Sequence, residues 1–241
     1  MSQPLIRLLQ LSDPALPIGG YAHSGGLETY VQEGVVNNRV TAEAFVRQML
    51  GANLHYTDAA LMALSYRATR VGESDTLLEL DHLCEAVKLP KEIRQASQKL
   101  GLRLLKIFQG GMLSVGKKGM PEGVDIDNVA QQYYAAVQTR QTPGHYSVAF
   151  GVCAAALEIE LGAALIGFYY NAAAGMVTNC VKLIPLGQQD GQELLFSLQA
   201  LIAELAEGSM EPDRESIGVC CPGLDIRCMQ HEQLYSRLYM S

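Results

Sequence analysis

The sequence predicts an all-α fold: a single-domain helical bundle of about eight to ten helices, with a Gly- and Pro-rich N-terminal segment at 1–40, a helical core at 41–208 and a partner-docking tail at 209–241. Three observations lead there. From residue 41 onward, apolar side chains recur at three- and four-residue steps, the period of a helix buried along one face. No stretch alternates apolar and polar residues for the length of a strand, and no internal repeat is visible. Trp is absent while Gly numbers 23, so the interior is assembled from Leu, Ala, Val, Ile and Met, which favours close helix packing over an aromatic-rich β fold.

Thr41 reads as the N-cap of a long helix whose buried face is Phe45, Met49, Ala52, Tyr56, Ala60 and Ala63. A shorter helix follows at about Thr76 to Lys88. Pro90 suits a first helical turn, and Ile93, Ala96, Leu100, Leu104 and Ile107 form the stripe of a helix ending at Gly110 and Gly111. Its other face carries Lys91, Arg94, Lys99, Arg103 and Lys106, a solvated surface or a contact for an acidic protein. Residues 110 to 124, with five Gly, two Lys and Pro121, read as a mobile loop before a helix from about Asp125 to Gln141. Leu161 to Val181 carries no charge over 21 residues, long enough for a membrane span, but its Asn171, Thr178 and Asn179 fit the central helix of a soluble bundle better. Ala163, Gly167, Asn171, Gly175 and Asn179 fall four apart, a stripe that admits another backbone closely. Asp190 and Glu193 have capping-box spacing, followed by an apolar face of Leu194, Leu198, Leu201 and Leu205 up to Gly208. The final 31 residues hold no core stripe and read as a tail that folds against something else.

The chain has 241 residues, 49% apolar and 18% charged, enough for a full core and too apolar for disorder. A net charge of -7 argues against a nucleic-acid binder, because phosphate binding needs a positive footprint. The mean conceals an asymmetry: residues 85 to 118 carry net +6 and all the others together -13. Such a split suits electrostatic docking with other proteins. The Met-Ser-Gln-Pro start has no basic and apolar leader pattern, so a cytoplasmic location is expected, and the six Cys are expected to be reduced.

Candidate chemistry is sparse. Ser12 to Glu28 packs four Gly and two Pro into 17 residues, a loop of defined path in which Ser24 can cap a helix carrying Glu28 in its first turn. It lacks the Gly-Lys-Ser/Thr ending of a phosphate loop. Ala22-His23-Ser24-Gly25-Gly26 is a loosened nucleophile elbow, so a small helical hydrolase using Ser24 is the alternative reading, though no strand pattern precedes it and His145 and His231 stand in no triad order. Cys220, Cys221, Cys228 and His231 offer soft ligands at a spacing no ordinary zinc site uses, and no metal site is expected. His55 and Asp58 lie three apart on one helix, close enough to interact. Lys182 closes the charge-free stretch, where a cation either complements a helix dipole or serves as an exposed contact.

Taken in order, Leu8-Leu9-Gln10-Leu11-Ser12-Asp13, Pro17-Ile18-Gly19-Gly20-Tyr21 and Ser24-Gly25-Gly26-Leu27-Glu28 resemble the opening of the UreF family of urease accessory proteins. The resemblance continues through Arg94-Gln95-Ala96-Ser97 with Gly101 to Leu105, Gly144-His145-Tyr146 with Phe150-Gly151, and Lys182-Leu183-Ile184-Pro185-Leu186-Gly187-Gln188. It ends in Pro222-Gly223-Leu224-Asp225-Ile226-Arg227 and His231-Glu232 to Ser241, and is weakest at 66 to 90 and 110 to 130.

The resemblance implies an all-helical, homodimeric, non-enzymatic chaperone that bridges UreD (also called UreH) and the GTPase UreG and couples GTP hydrolysis to nickel insertion into apo-urease. It implies no tightly bound cofactor, with nickel handled only transiently by the complex. Glu28 and Lys182 match positions the family keeps charged and are expected to face UreG, with Gly19, Gly20, Tyr21 and His23 shaping that surface. Leu224, Arg227, Glu232, Tyr235, Arg237 and Leu238 are expected in the tail that docks on UreD. Cys220, Cys221 and Cys228 depart from the family pattern.

Overall fold

The computed structural model describes residues 2–109, 125–219 and 221–240; the loop expected at 110–124 and Cys220 lie outside the described residues. Among those described, all regular structure is helical. The helices are α1 (Ser2–Leu11), α2 (Leu27–Gln32), α3 (Arg39–Gln48), α4 (Ala60–Val71), α5 (Ser74–Val87), α6 (Lys91–Gln109), α7 (Ile126–Gln138), α8 (Tyr146–Ala156), α9 (Leu161–Leu183), α10 (Gln188–Ser197), α11 (Gln199–Gly208) and α12 (Pro222–His231). A π-helical segment, Met49–Ala59, joins α3 to α4 without a break.

The helix that the rest of the bundle surrounds is α8, not α9. Every residue from Ser147 to Ala156 is buried, as expected of a helix apolar on all sides. Gly151 lets α4 cross it closely, because a Cβ there would run into the Met62 carbonyl and the Ser65 hydroxyl. On the other side Gly101 of α6 touches the backbone of Gly144 to Tyr146. The N-terminus of α8 is held by a buried carboxylate: Asp81 accepts from the amides of Gly144 (2.6 Å) and His145 (2.8 Å) and from the Thr142 hydroxyl (2.7 Å). An anion at that end complements the helix dipole. Ser97 adds a contact by accepting from the Tyr146 amide at 3.2 Å. The motif residues around 97, 101, 145 and 151 are thus the contacts of the α4, α6 and α8 crossings.

Helix α9 is long and apolar enough to cross a membrane, and half of its most apolar window is buried within the protein. Its small-residue stripe does what its spacing predicts. Gly167 receives Leu8 of α1 and Ser12 just beyond it, Asn171 donates to the Ser12 carbonyl (3.0 Å), and Asn179 donates to the His23 carbonyl (2.8 Å). Ile166 and Tyr170, which precede Gly167 and Asn171 on α9 and share one face of it, stay 47% and 41% exposed.

Several local expectations are corrected. The N-cap of α3 is Asn38, which accepts from the Thr41 amide while the Thr41 hydroxyl takes the Asn38 amide; Thr41 is the third residue of that capping box. Gly187 likewise caps α10, with Asp190 reaching back to its amide at 2.9 Å. The fully buried positions along α3 and the π segment include Ala42, Val46, Leu50 and Leu54, with Phe45 partly buried against the core. Ala60 and Ala63 are buried as expected, whereas Tyr56 is exposed, because the wider π turn rotates side chains away from a 3.6-residue period. The Tyr56 carbonyl accepts from Gly218 of the C-terminal segment at 3.1 Å. His55 and Asp58 do not pair. Asp58 binds Lys88 (2.7 Å), and His55 Nδ1 lies 3.0 Å and 3.1 Å from the Tyr169 and Ser209 hydroxyls.

Burial holds His55 below the ordinary histidine value of 6.5. Its neutral form is therefore the one the fold accommodates, and the unfolded chain takes up the proton first. This contribution is intact above pH 6.5 and is lost as pH falls below it. Thermal melts from pH 7.5 to 5.5 are expected to show falling stability, with a shallower fall for His55→Gln; equal slopes would exclude His55 as the source.

Candidate functional site

The N-terminal loop, the first turn of α2, the end of α9 and the C-terminal tail meet at one corner. Gly19 takes a left-handed conformation (φ 88) against Arg103, whose guanidinium donates to the Ile18 carbonyl at 2.8 Å. The chain then passes over a cavity of about 350 Å³ whose lining includes Gly20, Tyr21, His23 and Asn179. Tyr21 is 70% exposed, Gly20 is exposed, and Gly19 and His23 are half-buried. Burial, then the neighbouring Lys99 and Arg103 charges, hold the His23 imidazole below its ordinary range. Lys182 projects exposed from the last turn of α9, three residues beyond Asn179.

Glu28 is not a surface residue. Only 4% exposed, it sits beneath the tail and serves as its anchor. Its Oε1 accepts from the Leu238 amide (2.7 Å), and its Oε2 from the Tyr239 amide (3.1 Å) and His231 Nε2 (3.1 Å). The other ring nitrogen of His231 lies 2.7 Å from Glu92, whose second oxygen accepts from Arg237 at 2.8 Å. Both ring nitrogens thus face carboxyl oxygens, so the His231 ring is bracketed by two acids. The structure therefore corrects the expectation that Glu28 presents its charge to a partner, and it brings Glu28 into no hydrogen bond or ion pair with Lys182.

The expected tail residues divide into two groups. Leu224 packs near Gly26; Arg227 pairs with Glu33 and lies 5.7 Å over the Tyr30 ring, while its carbonyl accepts from Thr29 at 3.0 Å; Arg237 binds Glu92. These hold the tail on this chain. Glu232 is exposed, and so are Tyr235 (106%) and Leu238 (67%). Met240 donates to the Ala22 carbonyl at 2.9 Å, which joins the end of the tail to the glycine loop. The tail is consequently not coreless: α12 buries Cys228 and His231 against α2 and α6.

Glu92, Asn179 and His231 carry this corner and were not assigned to it from the sequence. Glu92 hides among the basic residues of α6. Asn179 was recognisable as the last member of the small-residue stripe, and His231 had a motif position but no visible partner.

The hydrolase alternative finds no support at Ser24, which is 3% exposed, follows a short 3-10 turn instead of a strand, and accepts from the Glu28 amide at 3.5 Å. Among the described residues no group of three or more His, Cys, Asp or Glu is placed to hold a metal. Burial pushes the thiols of Cys84, Cys153, Cys180 and Cys228 up to about 12. All four are expected to resist iodoacetamide at pH 8 in the native protein and to react after denaturation, as peptide mapping can read; alkylation of native Cys228 would show that α12 opens.

A family model for UreF matches residues 36–199. The chain is 43% identical over 234 residues to the urease accessory protein UreF of Actinobacillus pleuropneumoniae serotype 5b (strain L20), covering 97% of each. It is 42% identical over 234 residues to the protein of that name from Haemophilus influenzae (strain PittEE), covering 97% of this chain and 94% of the relative. With that of Trichormus variabilis (strain ATCC 29413 / PCC 7937) it shares 33% over 236 residues, 98% of this chain and 95% of the relative.

Proposed function

The chain belongs to the UreF family of urease accessory proteins, and from that premise we propose that it is a non-enzymatic scaffold of urease maturation that bridges UreD (UreH) and the GTPase UreG. In this reading it couples GTP hydrolysis by UreG to nickel insertion into apo-urease in the cytoplasm, with nickel as cargo of the complex. The observation that carries it is the apolar rim at the tail corner: Tyr21, Tyr235, Leu238 and Met240 are 70%, 106%, 67% and 59% exposed on segments tied together by the Met240 to Ala22 bond. Aromatic and aliphatic side chains left in water on an ordered segment are the usual mark of a protein interface. UreD is assigned to the tail side of this rim, Tyr235, Leu238 and Met240, and UreG to the adjoining surface of Lys182, Gly19, Gly20, Tyr21 and His23. Glu28 acts in this scheme by fixing the tail. A homodimer is assigned to the face where Leu5, Ile6 and Leu9 of α1 (55%, 62% and 64% exposed) flank Ile166 and Tyr170 of α9.

Co-purification of the full chain with UreD and UreG tests the assignment, and failure of both to bind in any nucleotide state would overturn it. Lys182→Ala is expected to lower urease activation and UreG retention while UreD binding and far-UV helicity stay unchanged. Undiminished nickel loading by that variant would remove Lys182 from the UreG surface.

A further inference from the structure

The region of the molecule farthest from use in the scheme above is a groove between α5, α6 and α7, with a volume of about 820 Å³. Its floor is apolar: Leu102, Val137 and Pro143 line it. Its rim is cationic. Lys99 and Lys106 stand seven residues apart on α6, so they share one face of the helix. Arg140 faces them from the turn after α7. None of the three makes an ion pair with any described residue. The carboxylate that also lines the groove, Glu85, is already compensated by Arg94 at 3.2 Å and hydrogen-bonded to Gln98 and His145. The concavity therefore holds a positive charge that nothing in the described chain balances.

Arg140 adds a second, independent observation. It stands at φ 61, in the left-handed conformation that terminates α7, with the Gln141 amide reaching back to the Ala136 carbonyl at 2.9 Å. That position favours Gly, and a side chain with a Cβ is strained there. A strained residue that keeps a cation on the rim of a groove points to use of the cation.

We propose that this groove is a docking site for an acidic amphipathic segment of a partner protein, whose apolar side chains lie on Leu102, Val137 and Pro143 and whose carboxylates meet Lys99, Lys106 and Arg140. Charge complementarity selects the class of occupant. An apolar floor beneath a charged rim is the arrangement that takes one face of an amphipathic helix. The open shape favours a segment of a macromolecule over a small anion, which such a groove would leave largely in water.

The test uses the full chain and a fluorescein-labelled peptide of repeating Glu-Glu-Leu-Leu as probe, read by anisotropy. Binding is expected to weaken with added salt and to fall about tenfold in Lys99→Glu/Lys106→Glu, whose folding is checked by circular dichroism. Arg140→Gly separates docking from structure: relief of the left-handed strain is expected to raise Tm while the peptide binds more weakly. No binding by the wild-type chain, or unchanged binding in these variants, overturns the proposal. So does displacement of the peptide by inorganic phosphate or ATP, which makes this a small-anion site, or self-association of the chain abolished by Lys99→Glu/Lys106→Glu, which makes the occupant a second copy.

Discussion

Glu28→Ala is expected to release the C-terminal tail while leaving the helical core folded. The substitution removes the acceptor of two backbone amides, at Leu238 and Tyr239, and one of the two acids that bracket His231. The two amides and the His231 Nε2 lose their acceptor in a buried site, and each buried donor left unsatisfied costs about 1–3 kcal/mol, while Glu92 still faces the other ring nitrogen. The tail contacts that remain are His231 and Arg237 with Glu92, Arg227 with Glu33, Gln32 with the Ser236 carbonyl, Thr29 with the Arg227 carbonyl and the Met240 amide with the Ala22 carbonyl. Among them Arg237 with Glu92 and Gln32 with Ser236 involve exposed groups that hold weakly. Hydrogen exchange is the measurement: amides from 222 to 240 are expected to lose protection while those of α8 keep theirs. A tail that stays protected would mean that Glu28 is not its anchor. The variant also separates the two partner surfaces of the proposed scaffold. Glu28→Ala is expected to weaken UreD binding through the tail, whereas Lys182→Ala, with its tail intact, acts on UreG alone. Deletion of 222–241 is a harsher change than it looks from the sequence, since it strands both Glu28 and Glu92 without partners.

How far the sequence carried differs by length scale. The all-α class was legible because helical period and the absence of alternation are properties of neighbouring residues. So was the α9 stripe, whose Gly167, Asn171 and Asn179 each receive the N-terminal segment as their spacing required. The caps at Asn38 and Gly187 were displaced by three positions. In both, the third helical residue is polar and its side chain reaches back to the amide of the cap, so Thr41 and Asp190 read as caps themselves. Within the rod from Arg39 to Val71, Ala60 and Ala63 are buried as their spacing predicts and Phe45 packs against the core, whereas Tyr56 faces outward because a π turn carries no local signature in this chain. Glu28 illustrates the longest scale. Its charge was recognised but its environment was not, since the imidazole that meets it lies 203 residues away. The same distance explains the tail. It lacks a stripe of its own because its buried contacts, Cys228 and His231, are made to α2 and α6.

Gly101→Ala is expected to be the most damaging single methyl group in the core. A Cβ at that position would strike the carbonyl oxygen of Gly144 and lie 2.7 Å from the His145 carbonyl carbon and 2.9 Å from the Tyr146 amide nitrogen. All three are backbone atoms, so no side chain can rotate away. Nor can the opposing backbone retreat cheaply, because Asp81 pins the Gly144 and His145 amides and Ser97 the Tyr146 amide. Overpacking of this kind costs about 3 kcal/mol, equivalent to a Tm loss of roughly 6–12 °C for a domain of this size. Gly175→Ala is the control within the same protein. It too is a helical glycine, but a Cβ there meets nothing within 4 Å, so removing the backbone freedom of Gly should stabilise by about 0.5–1 kcal/mol. Opposite signs from one chemical change would show that Gly101 serves closeness of approach and not helix flexibility. Equal small effects would mean that α6 can slide along α8. The sign matters for the surface as well, because α6 carries Glu92 to the tail corner and Lys99 and Lys106 to the cationic groove. A shift of α6 against α8 would therefore loosen the tail and reshape the groove together, and Gly101→Ala should lower both tail protection and peptide binding in proportion to the displaced population.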